Sequence, residues 1–154
     1  AYAKKYGGCI DLTTSFDMEH ATADEVKASR GLKMALEEGV ASDKITFSSD
    51  AQGSLPIFAP DGSFAGLGVG SITSLYQEIK DAVLEEGLPL ETALMAVTSN
   101  PASVLRLTGK GRIEAGMDAD LLLADQQTLE IDSVFAKGKQ MMAQGELLVK
   151  GTFE

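Results

Sequence analysis

Residues 45–54 read ITFSSDAQGS, a β-branched and aromatic run that ends in two serines and an acid. Such a run predicts a buried strand over 45–49, and Gly53 allows the chain to turn sharply after it. Asp50 and Ser54 would then lie at the carboxyl end of the strand. Alternating β/α folds build their active sites at that end, so Asp50 is the first candidate for chemistry. On position alone, a turn-capping role for Asp50 is an equal alternative.

The residues before this strand predict a second strand that a helix connects to it. Residues 9–14 alternate apolar and polar side chains, as a half-buried strand does. Thr22 and Glu25 have the spacing of a capping box, and Gly39 suits the end of the helix. The helix should turn four side chains inward: Val26, Leu32, Ala35 and Leu36. Crossovers of this kind join parallel strands, which predicts the α/β class.

The chain after Asp50 predicts a long loop, three helices and then a series of strands. Proline and several glycines favour a loop over 50–70, and loops of that length tend to be functional. Helices are expected at 71–86, 90–97 and 101–107. Strands are expected at 120–124, 131–136, 139–142 and 146–150, with hairpin turns at Lys137-Gly138 and Gln144-Gly145. We therefore predict two domains, 1–108 and 109–154.

The composition restricts the classes of partner. The 154 residues are 44% hydrophobic and carry a formal net charge of −10. Such an acidic chain is unsuited to bind nucleic acid or anionic membrane surfaces, because both carry negative charge. The sequence contains no apolar run of 18 residues, so it predicts no membrane-spanning helix. One cysteine, Cys9, excludes an intrachain disulfide and suits a reducing compartment, so we expect a cytoplasmic protein.

Two side chains that often carry chemistry have simpler interpretations here. Cys9 begins a predicted strand, where a small buried apolar side chain is expected. His20 is the only histidine, and it lies between Asp17, Glu19 and the predicted capping box. A solvated loop residue fits His20 better than a metal ligand does.

Residues 111–121, GRIEAGMDADL, resemble the G-x-I-x-x-G-x-D-A-D-L segment of the amidohydrolase superfamily. In that superfamily the chain leaves a metal-dependent (β/α)8 TIM barrel at this segment and returns to a small β-sandwich. Residues 98–102 and 105–107 are similar to the last barrel helix and its exit. The resemblance implies that 1–108 form the last two β/α units of such a barrel, and that 109–154 supply strands of the sandwich.

Three further segments, 8–15, 48–54 and 150–154, resemble the isoaspartyl (β-aspartyl) dipeptidase family. The similarity runs nearly from end to end, and it implies the C-terminal part of such an enzyme. A complete barrel takes about 250 residues. The resemblance therefore also implies an N-terminal part of the same protein as a partner, together with a homo-oligomeric assembly.

In that family a binuclear zinc site is built from an H-x-H pair, a carboxylated lysine, two more histidines and an aspartate after strand eight. Asp50 matches the aspartate, so its implied role is metal ligand and proton shuttle. The resemblance implies that zinc would lower the pKa of the attacking water, and that Asp50 would take its proton as it attacks the β-aspartyl dipeptide and would then return the proton to the leaving amine. Ser54 matches the residue that helps hold the α-carboxylate of the substrate. Its hydroxyl would equally satisfy the backbone of its own loop.

The isolated chain is expected to be inactive, and other functions stay open. Zinc needs three or four ligands and this chain offers one match, so we expect neither tight zinc binding nor hydrolysis from the 154 residues alone. A different amidohydrolase, such as a D-aminoacylase or dihydroorotase, would share residues 111–121 and differ around 50–54. A non-catalytic assembly module would instead pair its free strand edges with a partner or a second copy.

Overall fold

A computed structural model of the chain describes residues 2–15, 26–59 and 61–151. The chain divides into two compact units, Ala1–Pro101 and Ala102–Glu154. The proposed capping box at Thr22 and Glu25, the acidic segment around His20 and the end of the 150–154 segment lie outside the described residues. The domain limits drawn from the sequence, 1–108 and 109–154, stay a prediction.

The first unit combines helices with two small sheets, which confirms the α/β class. Its elements in chain order are α1 (Tyr2–Tyr6), β1 (Ile10–Thr13), α2 (Ala28–Glu37), a 3-10 turn (Ser42–Lys44), β2 (Ile45–Ser48), β3 (Ser54–Phe58), β4 (Phe64–Val69), α3 (Ser74–Leu84), α4 (Leu90–Met95) and the start of α5 (Ser99–Val104). Strands β1 and β2 pair in parallel, from Ile10 opposite Ile45 to Thr13 opposite Ser48. The predicted parallel pair is therefore correct.

The core of the first unit lies between β2 and the helices. Leu32 of α2, Ile45 of β2 and Ile79 of α3 are at most 1% exposed, because apolar side chains from each element meet there. Ala35 and Leu36 pack against this cluster, as the helical periodicity predicted. Gly39 takes a positive φ of 77° after the helix and closes it, as a C-terminal glycine should.

Two residues expected in the core lie outside the elements and are exposed. Val26 is 48% exposed, because α2 begins two residues later, at Ala28. Cys9 is also exposed, because β1 begins only at Ile10. Both predictions were wrong for the same reason, since each assigned one or two residues too many to the start of an element.

Residues 54–69 form an antiparallel hairpin, which corrects the long loop predicted from the sequence. Ser54 pairs with Val69 and Pro56 with Leu67, and the register shifts between Ile57 and Phe58. The hairpin is a separate two-stranded sheet. Each strand therefore has an edge without a ladder, where a proline that lacks an N–H is tolerated. The sequence hid this hairpin because proline and glycine normally disfavour strands.

Two buried acids of α3 hold the start of α2. Glu78 Oε2 accepts a 2.7 Å hydrogen bond from the backbone N–H of Ser29, in the first turn of α2. Asp81 forms an ion pair with Lys27. Burial alone would lower the pKa of Lys27, but its hydrogen bond and charge interaction with Asp81, with Glu78 and Glu85 adding, raise it above its ordinary value. Negative charge at a helix N-terminus is favourable, so these acids orient α2.

The amide of Asn100 anchors the start of β2. Its Nδ2 donates 2.7 Å hydrogen bonds to the carbonyls of both Ser42 and Ile45. On the same strand, the N–H of Phe47 donates to the carbonyl of Ala96 at 2.9 Å. These bonds satisfy backbone groups that a two-stranded sheet would otherwise leave without partners.

The second unit contains a four-stranded antiparallel sheet with strands in sequence order: β5 (Leu121–Ala124), β6 (Ile131–Ala136), β7 (Lys139–Ala143) and β8 (Glu146–Leu147). Both predicted hairpin turns are present. Lys137 and Gly138 have φ of 48° and 77°, and Gln144 and Gly145 have 52° and 78°. Two successive positive φ values are the signature of the tight turn that matches strand twist. The last strand is shorter than the predicted 146–150.

In the described part of the chain, every helix is too short or too polar to cross a lipid bilayer.

Candidate active site

Asp50 lies two residues beyond the end of β2, and its side chain is exposed. Its φ is 47° and that of Gln52 is 66°. Both values belong to the left-handed region, which Asp tolerates better than most side chains do. Two such residues within three positions turn the chain out of β2 and into β3. The carboxylate therefore stands at the carboxyl end of the parallel pair, and its chemical role stays a prediction.

Backbone hydrogen bonds close the turn that carries Asp50. The N–H of Gly53 donates to the carbonyl of Asp50 at 2.8 Å. Gly70, the residue after β4, accepts from the N–H of Gln52 and donates to the carbonyl of Gly53, both at 3.0 Å. The far end of the hairpin thus returns to the turn. Asp50 and the hairpin consequently form one hydrogen-bonded piece of structure.

The carboxyl end of β1 is hydrogen-bonded to the residues just before the Asp50 turn. The N–H of Thr14 donates to the carbonyl of Ser48 at 2.7 Å, and the hydroxyl of Ser15 donates to the carbonyl of Ser49. The hydroxyls of Thr14 and Ser74 share a hydrogen bond of 2.8 Å. Both strand ends and the start of α3 therefore support the turn. No local pattern indicates these contacts, because they join residues far apart in the chain.

Ser54 is the first residue of β3, and it is exposed. It lies directly opposite Val69 in the antiparallel register, so the two side chains share one face of the hairpin. Gly53, which bonds to Asp50, immediately precedes it. The structure thus places Ser54 at the base of the hairpin beside the Asp50 turn, with its side chain accessible to a ligand.

A second carboxylate, that of Asp11 on β1, already accepts hydrogen bonds from other side chains of the protein. Its Oδ1 accepts a 2.6 Å hydrogen bond from Thr46, and its Oδ2 accepts one from Ser48. These donors lie on the neighbouring strand, so the carboxylate ties β1 to β2. Asp11 is therefore a structural residue.

The metal-ligand role that the resemblance implies for Asp50 stays a prediction. Among the residues the structure describes, no group of three or more His, Cys, Asp and Glu side chains is arranged to hold a metal ion. Three or four ligands are the normal requirement of zinc. An exposed carboxylate on a fixed turn, as at Asp50, suits one ligand in a set shared with residues outside this described part.

Residues 9–142 match the Amidohydrolase family. The chain belongs to the amidohydrolase family. The resemblance carried by residues 111–121 is therefore confirmed, and metal dependence is general in this family.

Solved amidohydrolases extend the similarity to nearly the whole chain. The β-aspartyl dipeptidase of Fervidobacterium islandicum AW-1, solved in complex with the β-Asp-Leu dipeptide, is 41% identical with a TM-score of 0.79. The match covers 98% of this chain and 38% of that one. A second structure of a β-aspartyl dipeptidase from that organism is 36% identical with a TM-score of 0.75, over 98% of this chain and 35% of that one. The predicted resemblance to this family is thus confirmed.

A curated relative of a different activity matches a smaller part of the chain. The dihydroorotase of Methanosarcina mazei is 37% identical over 73 residues, which cover 46% of this chain and 16% of the relative. This chain therefore spans well under half the length of each of these relatives.

Proposed function

We propose that the protein carrying this chain is a zinc-dependent dipeptidase that hydrolyses β-aspartyl dipeptides. The observation that carries the proposal is the 41% identity, over 98% of this chain, with an enzyme solved with β-Asp-Leu. The exposed carboxylate of Asp50 at the carboxyl end of β2 supports it, since barrel enzymes place catalytic groups there.

In this proposal the chain supplies the last two β/α units of a TIM barrel and the C-terminal strands of a small sandwich. The parallel pair of β1 and β2, connected through α2, supports the first assignment. The four-stranded antiparallel sheet supports the second. An N-terminal part of the same protein would complete the barrel, and the assembly would be a cytoplasmic homo-oligomer.

Asp50 would act both as a zinc ligand and as the proton carrier. When bound, zinc lowers the pKa of a coordinated water and so makes a nucleophile available near neutral pH. The Asp50 carboxylate accepts a proton from the attacking water and donates it to the nitrogen of the leaving amino acid. Its turn is fixed by backbone hydrogen bonds from Gly53 to Asp50, from Gln52 to Gly70 and from Gly70 to Gly53, so the carboxylate needs little reorganisation. Ser54 would donate a hydrogen bond to the substrate α-carboxylate.

Two alternatives receive less support. The dihydroorotase match covers less than half of this chain, whereas the dipeptidase matches cover nearly all of it. An assembly module without catalysis would not require an accessible carboxylate at Asp50.

The test is hydrolysis by the full-length, zinc-loaded protein. We expect cleavage of β-Asp-Leu and none of α-Asp-Leu, and we expect Asp50→Asn to lower kcat about 1000-fold. Asp43→Asn is the matched control, because Asp43 is exposed just before the opposite end of β2. It should leave kcat unchanged.

Two results would count against the proposal. Cleavage that is indifferent to Asp50→Asn would remove its catalytic role. Turnover of dihydroorotate or N-acyl-D-amino acids without β-aspartyl cleavage would favour another amidohydrolase, and no turnover of any of these substrates would favour the assembly module.

A further inference from the structure

We propose that Gly70 is a positioning residue for Asp50, which sets the place of its carboxylate by allowing the two backbones to touch. The proposal rests on the proposed function, because it assumes that Asp50 takes part in the reaction. Gly70 itself would contact neither substrate nor metal.

The backbone of Asp50 occupies the space that a side chain on residue 70 would need. A Cβ built on Gly70 would lie 2.4 Å from the carbonyl oxygen of Asp50 and 3.0 Å from its carbonyl carbon. The same atom would lie 3.0 Å from the hydroxyl of Ser15. Ordinary contacts of a Cβ begin at 3.4 Å, so any side chain at position 70 would displace Asp50 by about 1 Å.

The groups around Asp50 hold its backbone in place, so the clash cannot be relieved without moving Asp50. Its left-handed backbone is maintained only because neighbouring groups fix it, and Gly70 provides two of the hydrogen bonds in the turn. Gly70 is buried, and the hydroxyl of Ser15 lies against the same point. Moving the Asp50 carbonyl would therefore rotate the backbone of Asp50 and shift the carboxylate attached to it.

Other glycines of the hairpin do not have this constraint. A Cβ on Gly66 would meet nothing within 4 Å, and one on Gly68 would make ordinary contacts, 3.5 Å to the side chain of Ile57 and 3.8 Å to the carbonyl oxygen of Leu55. Gly53 is intermediate, with a Cβ position 2.8 Å from the Asp50 carbonyl oxygen. The need for glycine is thus specific to the residues that face Asp50.

The experiment compares Gly70→Ala with Gly66→Ala in the full-length, zinc-loaded protein. A displacement of 1 Å at a reacting group can cost about 100-fold in rate, so we expect that loss in kcat on β-Asp-Leu for Gly70→Ala. Gly66→Ala should keep the wild-type kcat. Crystal structures of both variants should show Asp50 displaced only in Gly70→Ala. A role limited to stability would lower the melting temperature and leave Asp50 in place.

A kcat for Gly70→Ala within twofold of wild type, or a lower kcat with Asp50 unmoved, would overturn the proposal. If Gly70→Ala does not fold, Gly53→Ala imposes a smaller displacement of the same carbonyl and is judged by the same two measurements. Asp50→Asn in parallel separates the two hypotheses. If that variant stays active, the proposed role of Asp50 is wrong; if it is inactive while Gly70→Ala is normal, only the positioning role is wrong.

Discussion

The backbone N–H of Ser29 donates a 2.7 Å hydrogen bond to the carboxylate of Glu78, and both residues are buried. A residue of one helix thereby caps the start of another that lies about 49 residues earlier in the chain. This contact fixes the start of α2 against α3.

Removing this cap should destabilise the protein. We expect Glu78→Ala to lower the free energy of unfolding by about 2 kcal/mol, because a buried N–H loses its acceptor. Glu78→Gln keeps an acceptor oxygen and should cost less. Urea unfolding measures both, with Glu85→Ala as control, since Glu85 is 64% exposed directly after the last residue of α3. Equal losses for Glu78→Ala and Glu85→Ala would contradict the capping role.

The hydroxyl of Ser54 should contribute to substrate binding. If it holds the substrate α-carboxylate, Ser54→Ala removes one hydrogen bond to a charged group and should raise KM for β-Asp-Leu about tenfold. Because Ser54 does not take part in proton transfer, kcat should change little. Steady-state kinetics separate the two parameters, and Ser63→Ala at the other end of the hairpin is the control. An unchanged KM would contradict the substrate-binding role and would favour a structural role for the Ser54 hydroxyl.

Stability should fall in acid partly through Glu86. Hydrogen bonding and charge interaction with Arg30, aided by Lys33, lower the pKa of Glu86 from its ordinary value of 4.5. The unfolded chain then binds a proton at higher pH than the folded protein does. The stabilisation is therefore complete above the ordinary value and is lost as pH falls through the lower, folded-state pKa.

The urea midpoint of wild type should consequently decrease between about pH 5 and pH 3 more steeply than that of Glu86→Gln. Glu146→Gln, a change on the exposed strand β8, should follow wild type. Parallel curves for wild type and Glu86→Gln would show that the ion pair contributes nothing.

The turn between β7 and β8 should accept a stabilising change. Gln144 has a φ of 52° in the first central position of a tight turn, where Asn is preferred because it tolerates the left-handed region. We expect Gln144→Asn to raise the free energy of unfolding by about 0.5 kcal/mol. Gln140→Asn, inside β7, should lower it. Thermal unfolding of both variants measures the difference, and a loss for Gln144→Asn would contradict the turn assignment.

Local patterns were sufficient to predict β1, the body of α2, β2 and the turns of the second unit. Each depends on residues close in the chain: an apolar run, a helical repeat, or a residue followed by glycine. The position of Asp50 at a strand end followed for the same reason. Residues 111–121 were sufficient to predict the family, because the family pattern matches them as one continuous segment.

Contacts between distant residues were not predictable in this way. Glycine alternates with apolar residues over 66–70, as in a strand, but the prolines and glycines of 50–70 favoured a loop, and so β4 and Gly70 were missed. The two carbonyls bound by Asn100 lie 58 and 55 residues earlier in the chain. Neither the amide nor the carbonyls give a sign of the pairing until the chain has folded.

The parallel β1–β2 sheet and the four-stranded antiparallel sheet also differ in how quickly they should form. In the antiparallel sheet each strand pairs with its neighbour in sequence, through turns that bring the partners together at once. In the parallel sheet, Asp11 meets Thr46 across about 35 intervening positions, and α2 must be placed before the strands close. Loop closure over such a span slows folding. We therefore expect pulse-labelled hydrogen exchange to protect β6 and β7 before β1 and β2, so that the end bearing Asp50 is among the last parts to become ordered.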